Sequence, residues 1–550
     1  MRGSSESPSL NWTMAPPDPQ ITLPPKRDWR FWVIFIALCL SIALCGLDIG
    51  ALATALPSII HDLNGTDSFA WVSTGYTLAT TAILPLSGRL AEVLGRRDVL
   101  LASLVLFAVG SAVCGAAHSM TVLVAGRVIQ GIGSGGIQSL TAIVVADVVP
   151  LKDRGLFNAL IGMTFSVTTA AGPFIGGVIV QKTTWRWLFY INLPMAGLAV
   201  ISVFGFLRLR QPSRPNFLQC VASLDLLGNT MIIGSATSCI LALTWAGVTH
   251  PWNSTRVLAP LIIGMVGLVG ALLYEMFIAG YPSIPRSIVS NCTSLSGYIA
   301  SFIHGLIITS VAFYLPVYFQ GVKEALPLLS GLYIFPMAAV ISPSAILQGV
   351  LISKFGRYKL VSGIGWSAMM LGVGLLLILN INTSIGTTVP LQLIAAFGFG
   401  LLYATTFTVL APLDVGLNSA ALSLLLFART FSQSWSIAIG ATILQNELRH
   451  QLPAEFIASF VPGQDLTYVS IPLIRSLSEP LRTQVRIAFA NSLRLMWKVL
   501  LGLCGAGLLT VFLQREIPLH RNTNPRWGIK DNENKASEST DAEKSNATPQ

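Results

Sequence analysis

Charged side chains are scarce along this chain of 550 residues: Asp, Glu, Lys and Arg together make up 11%, under half of the roughly 25% of an average soluble domain. A soluble globule of this length splits into several domains, each with a charged exterior, and the composition excludes that. Histidine is scarce as well, six residues dispersed from His61 onward. With no His-rich metal set and no nucleophile elbow, an integral-membrane enzyme is not expected, nor a metal or cofactor. The seven cysteines, Cys39, Cys45, Cys114, Cys220, Cys239, Cys292 and Cys504, are scattered, mostly inside apolar blocks. Their spacing suggests neither a metal site nor a disulfide framework, and they read as small hydrophobes. The first thirty residues are polar and proline-rich (Pro16, Pro17, Pro19, Pro24, Pro25), so no cleavable signal peptide is expected.

Apolar residues are abundant, at 53%, and fall in long blocks such as Phe31 to Ile49 and Val99 to Ala117. Each block is near the ~20 residues that cross a ~30 Å hydrocarbon core as a helix. Fourteen candidate spans follow, at 32–58, 70–90, 99–118, 122–147, 156–180, 187–207, 226–247, 257–278, 297–319, 329–352, 360–380, 388–411, 418–445 and 489–513. Lys and Arg set the orientation. Arg27, Arg30, Arg89, Arg96, Arg97, Lys152, Arg154, Arg208, Arg210, Arg214, Lys354, Arg357 and Lys359 collect on one side with both tails, the mark of a cytosolic face. The net charge of +10 is thereby topological and does not point to nucleic acid. Sequons at Asn64, Asn253 and Asn382 fall in loops on the opposite side and are expected to be glycosylated, whereas Asn11, Asn291 and Asn546 fall on the cytosolic side and are not.

A repeat organises the spans. Gly88-Arg89-Leu90 with Gly95-Arg96 recurs as Gly349-Val350-Leu351 with Gly356-Arg357, an offset of 261 residues or eight spans. Two six-span halves with an inserted pair at 226–278 account for that offset, as in transporters built from two rocking bundles.

Charges inside spans are costly, at least ~2.5–3.5 kcal/mol at a helix centre, and each invites a functional reading. Asp48 lies in the first span, Arg127 early in the fourth and Arg429 in the thirteenth, while Glu275 is expected at the interface near the end of the eighth. Asp48 suits a proton site, and Arg127 a fixed cation that modulates it or orients substrate. For all three intramembrane charges a buried ion-pair role that holds helices together stays open. Trp71, Tyr76, Trp245 and Trp252 sit near span ends and read as interface anchors. The outside loop 446–488, amphipathic over Leu448 to Phe460, is expected to lie on the membrane surface.

Several motifs carry a resemblance to the major facilitator superfamily, and within it to the fourteen-span drug:H+ antiporters of fungi. The turn Gly88 to Arg97 is similar to the superfamily's cytosolic signature, with Glu92 where Asp is usual. Arg127-Val128-Ile129-Gln130-Gly131-Ile132-Gly133 resembles the signature of span four, and Gly172-Pro173-Phe174-Ile175-Gly176-Gly177 the antiporter signature of span five. Trp185 to Pro194, Leu47 to Pro57 and Tyr314 to Gln320 resemble the fourteen-span group itself. The resemblance covers about residues 30 to 515. It implies a gate formed by Gly88, Glu92, Gly95, Arg96 and Arg97, with Asp147 joining its charge network and Glu92 contacting a neighbouring helix end. It also implies gating at Gly172, Pro173, Gly176 and Gly177, and a central cavity in which Asp48 cycles a proton with Arg127, Gln130 and Arg429. Thr168 stands where glycine is preferred, and Ser432, Gln433, Ser434 and Trp435 replace more usual glycines.

The expectation is an all-α polytopic membrane protein of fourteen transmembrane helices, two six-helix bundles plus two inserted helices. Its parts are a cytosolic tail (1–30), an N-terminal bundle (31–208), a linker with the extra helices (209–285), a C-terminal bundle (286–515) and a second tail (516–550). The expected function is proton-coupled efflux of small amphipathic compounds, toxins or secondary metabolites, from a monomer in the plasma membrane, with the vacuolar membrane second. Carriage of basic amino acids or siderophores, and a non-transporting receptor or scaffold, are the alternatives.

Overall fold

The computed structural model describes residues 29–63, 70–207, 224–246, 250–403, 405–458 and 466–519. Nearly all of both expected tails, and the sequons at Asn11, Asn64 and Asn546, lie outside these residues. Among the described residues the chain is helical, with one isolated β-bridge between Ala246 and His250. The long helices are α1 (Trp29–Leu63), α2 (Ala70–Leu94), α3 (Arg96–Gly115), α4 (Met120–Val148), α5 (Arg154–Lys182), α6 (Asn192–Phe206), α7 (Leu226–Trp245), α8 (Thr255–Phe277), α9 (Cys292–Gly321), α10 (Pro327–Phe355), α11 (Tyr358–Leu375), α12 (Ile385–Leu401), α13 (Asn418–Gln451) and α14 (Leu481–Phe512).

Thirteen segments among the described residues are long and apolar enough to cross a membrane. The expected count of fourteen therefore turns on α2. At 25 residues it is long enough, but Ser73, Thr74, Tyr76, Thr77, Thr80 and Thr81 make it too polar to qualify by composition. Tertiary packing supplies what its own surface lacks: α2 lies against α4 and α13, and its polar groups bond within the protein. Thr80 Oγ1 donates to the Gly131 carbonyl at 3.1 Å, and Thr81 Oγ1 to that of Thr77 at 2.8 Å.

Helices α1 to α6 pack mainly with one another, and so do α9 to α14; α7 and α8 pair, and α7 rests on α2 and α13. The two bundles meet where α2 crosses α13 and α5 crosses α10. Small residues permit both crossings. A Cβ on Gly88 of α2 would lie 3.0 Å from the Ser419 carbonyl of α13, and one on Gly349 of α10 would lie 2.4 Å from the backbone of Gly155 on α5. Gly88 and Gly349 are partners in the sequence repeat, so the repeat marks two equivalent crossings. The other repeated glycines, Gly95 (φ 98°) and Gly356 (φ 71°), are the two positive-φ glycines among the described residues, and each begins the tight reversal into the next helix. Both crossings lie toward the end that carries Arg89, Arg96, Arg97, Lys152, Lys354 and Arg357, here the basic face.

On the opposite face the structure corrects the reading of loop 446–488. Helix α13 runs on to Gln451, and Phe456 and Ile474 are buried in the core of the C-terminal bundle rather than laid along a membrane surface. Their apolar faces cover the ends of helices. Glu324, between α9 and α10, fastens this region: its carboxylate accepts from Arg482 Nε at 2.9 Å and pairs with Arg486 at 3.3 Å, and its carbonyl accepts from Arg475 Nε at 3.1 Å. The bond from Arg482 holds the Glu324 carboxyl below its ordinary range. Asn253 and Asn382 are exposed on this face.

Candidate functional site

Five helices of the N-terminal bundle converge on one carboxylate. Glycines of the span-four signature make the approach possible. A Cβ on Gly131 would lie 2.4 Å from the Tyr76 carbonyl of α2, and one on Gly133 would lie 2.5 Å from the Phe107 nitrogen of α3. Helix α4 thus nests between α2 and α3 and carries Arg127 and Gln130 inward. Arg127 Nη1 donates to Asp48 Oδ2 at 2.5 Å and to Gln130 Oε1 at 2.7 Å, and its Nε donates to the Val72 carbonyl at 3.1 Å. Gln130 Nε2 donates to Asp48 Oδ1 at 2.7 Å and to Ser111 Oγ at 2.8 Å. Asn192 Nδ2, from α6, donates to Asp48 Oδ1 at 3.2 Å. Asp48 is 5% exposed and Arg127 1%. Two opposite charges with this many donors form a buried pair whose lone pairs are largely satisfied, the condition under which such a pair is tolerated.

The structure therefore brings Asp48, Arg127 and Gln130 together inside the bundle, and none of the three lines the cavity between the bundles. Tyr76 separates them from open space. Its ring centroid lies 4.3 Å from the Arg127 guanidinium carbon, its hydroxyl donates to Ser134 Oγ at 2.6 Å, and it lines the cavity beyond. Tyr76 is 3% exposed, so the interface-anchor reading does not hold for it: the helix turns the ring inward, onto a cation. Trp252 Nε1 likewise bonds within the protein, to Thr442 Oγ1 at 2.6 Å. Asn192, Ser111 and Tyr76 carry little signal in the sequence as site residues, because uncharged polar groups within apolar spans stand out far less than charges do.

The cavity lies between the bundles and encloses about 350 Å³. Its wall includes Tyr76, Thr80, Gln138, Asn158, Tyr403 and Arg429. Arg429 is the charged side chain among the described lining residues. Its Nη2 donates to the Tyr403 carbonyl at 2.6 Å, its guanidinium carbon lies 4.8 Å from the Tyr403 ring centroid, and its buried Nε has no hydrogen-bond partner. Of the four residues that replace glycines in this span, Gln433 and Ser434 face the cavity, while Ser432 donates back to the Arg429 carbonyl at 2.7 Å.

At the basic face the expected gate residues sit around the α2–α13 crossing. Arg96, 1% exposed, donates from Nε to Asp147 Oδ2 at 3.0 Å, from Nη1 to the Ala91 carbonyl at 2.7 Å and from Nη2 to Ser419 Oγ at 2.8 Å. Asp147 thus pairs with Arg96, both buried. The crossing to the other bundle, however, runs through Arg96, whereas Glu92 pairs with Arg89 one turn back on its own helix at 3.0 Å. The longer glutamate side chain reaches its neighbour at i−3. Arg97 reaches the far end of α6, where Nη2 donates to the Phe204 carbonyl at 2.5 Å. In span five, Gly172 meets Gly50 of α1 backbone to backbone, Gly176 is buried and Gly177 has open space where a Cβ would stand; the Pro173 side chain lies outside what is described. Thr168 fills the place that Gly46 leaves vacant on α1. Glu275, near the end of α8, is 1% exposed, and Oε2 accepts from the Ile284 nitrogen at 3.2 Å.

Comparison with known proteins accords with this architecture. Residues 38–441 match the family described as Major Facilitator Superfamily. The chain is 37% identical over 528 residues to the MFS-type transporter pydD of Acremonium sp, covering 94% of this chain and 91% of that one. It is 35% identical to the efflux pump FUS6 of Gibberella fujikuroi, covering 94% of each. Among solved structures, the proton:xylose symporter XylE shares the fold with a TM-score of 0.57 at 14% identity, over 90% of this chain and 98% of that one. With fourteen long helices among the described residues, in two six-helix bundles and an inserted pair, the chain belongs to the major facilitator superfamily, as a multi-pass membrane transporter.

Proposed function

We propose that this protein exports small amphipathic organic molecules, toxins or secondary metabolites, in exchange for protons. The observation that carries the proposal is the Asp48 node: a buried carboxylate bonded to Arg127, Gln130 and Asn192, one side chain behind the wall of a cavity between two bundles. Adding a proton to Asp48 removes the counter-charge of Arg127, and a buried cation left uncompensated drives rearrangement of whatever surrounds it. Tyr76, which touches the guanidinium and lines the cavity, transmits that change to the substrate space. Names of the relatives support the direction of transport, since FUS6 is called an efflux pump.

The basic face is read as cytosolic. Here it is sealed by Gly88 against Ser419, Gly155 against Gly349, and Ser139 Oγ against Ser423 Oγ at 3.0 Å, so the cavity belongs to a state closed to the cytosol. Opening requires the Arg96–Ser419 bond to break while Asp147 keeps the guanidinium in place. The N-terminal bundle is assigned to 31–208, the linker to 209–285 and the C-terminal bundle to 286–515, acting as a monomer in the plasma membrane with Asn253 and Asn382 glycosylated outside.

Expression of the chain and of Asp48→Asn in a pump-deficient yeast, across a panel of toxic amphiphiles, tests the reading. Resistance is expected from the parent and lost in the variant. Equal resistance from both overturns the role of Asp48, and no resistance from a correctly placed parent overturns export.

A further inference from the structure

Arg429 is a guanidinium facing a mostly apolar cavity, and no carboxylate among the described residues pairs with it. A cation within a membrane-spanning helix is costly unless something compensates it. Tyr403 supplies one carbonyl and a ring face, which leave the positive charge in place. The described wall otherwise presents hydroxyls and amides, among them Thr80, Gln138, Asn158 and Thr430, with no Asp, Glu or Lys. The position is also built. A Cβ on Gly305 of α9 would lie 3.0 Å from the Arg429 carbonyl and 3.4 Å from its Cγ, so α9 closes against the stem of this arginine and holds the head toward the cavity.

We infer that Arg429 receives the acidic group of an amphipathic organic acid, a carboxylate or acidic enol whose apolar body lies against the rest of the cavity. The inference rests on the export reading above and names the class of cargo. A guanidinium recognises a planar anion by paired N–H donors and retains its charge at any physiological pH, and the bond from Nη2 to the Tyr403 carbonyl is the one this guanidinium makes among the described residues. A cationic cargo meets the opposite situation: it is repelled by Arg429 and finds no carboxylate on the described wall. This also separates the site from Asp48, whose charge is already neutralised by Arg127.

The test uses the full chain in lipid nanodiscs and three radiolabelled probes with one apolar body: naphthaleneacetate, naphthaleneethanol and naphthaleneethylammonium, each corrected for binding to empty nanodiscs. Naphthaleneacetate is expected to bind about tenfold or more tightly than the alcohol, the gain of a charge-assisted hydrogen-bond pair, and the ammonium weakest of all. Arg429→Gln brings the acid to parity with the alcohol, and Arg429→Lys retains part of the preference. Equal binding of all three probes, tighter binding of the ammonium, or an acid preference unchanged in Arg429→Gln overturns the inference and leaves export standing. Absence of binding by every probe, together with no uptake of any into inside-out vesicles, overturns both. Should Arg429→Gln fail to fold, the order of the three probes on the parent protein decides the matter by itself.

Discussion

The two bundles each place an arginine within a span, and they treat it in opposite ways. Arg127, on α4, is 1% exposed and meets a carboxylate, an amide and a backbone carbonyl. Arg429, on α13, meets one carbonyl and a ring, and faces a cavity. A charge neutralised within the protein has its desolvation offset before any ligand arrives, whereas one left facing an enclosed space keeps its field for what enters. The difference assigns different work to the two bundles: the N-terminal one holds the site where a charge can be cancelled, and the C-terminal one holds the charge that cargo meets.

The sharpest way to break this contrast is to strip each arginine of its setting. Asp48→Asn leaves Arg127 buried without a counter-charge and is expected to cost about 3–5 kcal/mol of stability, as does removal of one member of other buried pairs. Asp48→Asn with Arg127→Gln removes both charges and recovers most of that loss while export stays absent. Arg429→Gln, which breaks one hydrogen bond, is expected to cost about 1 kcal/mol. Thermal melting of the purified variants measures all three. Equal costs for Asp48→Asn and Arg429→Gln mean that Arg127 and Arg429 are in equivalent environments, and the contrast fails.

A second test sets the two copies of the repeat against each other. Gly95 and Gly356 both have positive φ, yet Arg96 is buried in the α2–α13 crossing and Arg357 is exposed. Arg96→Gln strands the buried Asp147 carboxylate and is expected to cost about 2–3 kcal/mol, in the range for hydrogen bonds to charged groups. It also loosens the basic face, seen as faster labelling of a cysteine placed at Ser423. Arg357→Gln is expected to fall within about 0.5 kcal/mol, as for other surface changes. Comparable losses at the two positions mean that the crossings are closed by the glycines alone, without Arg96.

Asp48, Arg127, Gln130 and Arg429 stand out in the sequence for one reason: in apolar spans, any charge or wide amide is conspicuous. Asp48, Arg127 and Gln130 do meet. Their distance from the cavity was not legible, because which face of α1 and α4 turns to the other bundle depends on packing at Gly131, Gly133 and Gly172. Tyr76 departs from its expected place by the same logic, since a position near a span end anchors at the interface only when no neighbouring helix covers it. Asn192 lies within the Trp185 to Pro194 motif, yet an amide at a helix start carries no signal of its own. The loop 446–488 alternates apolar and polar residues much as a surface helix does, and only the core that receives Phe456 and Ile474 distinguishes burial in protein from burial in lipid.

The smallest effect in the node tests whether it is one unit. Asn192 Nδ2 lies 3.2 Å from Asp48 Oδ1 and 3.5 Å from Ser111 Oγ, while its Oδ1 has no partner. Asn192→Ala removes a longer bond than those from Arg127 and Gln130, and is expected to cost about 1 kcal/mol. If that cost comes from the carboxylate, it shrinks when Asp48 is already Asn, and a double-mutant cycle on melting free energies returns a coupling of about 0.5–1 kcal/mol, in the range for residues in contact. Strict additivity places Asn192 with Ser111 as a packing residue of α3 and α6. The charge-cancelling site would then consist of Asp48, Arg127 and Gln130 alone, held by two helices, α1 and α4, with α6 outside it.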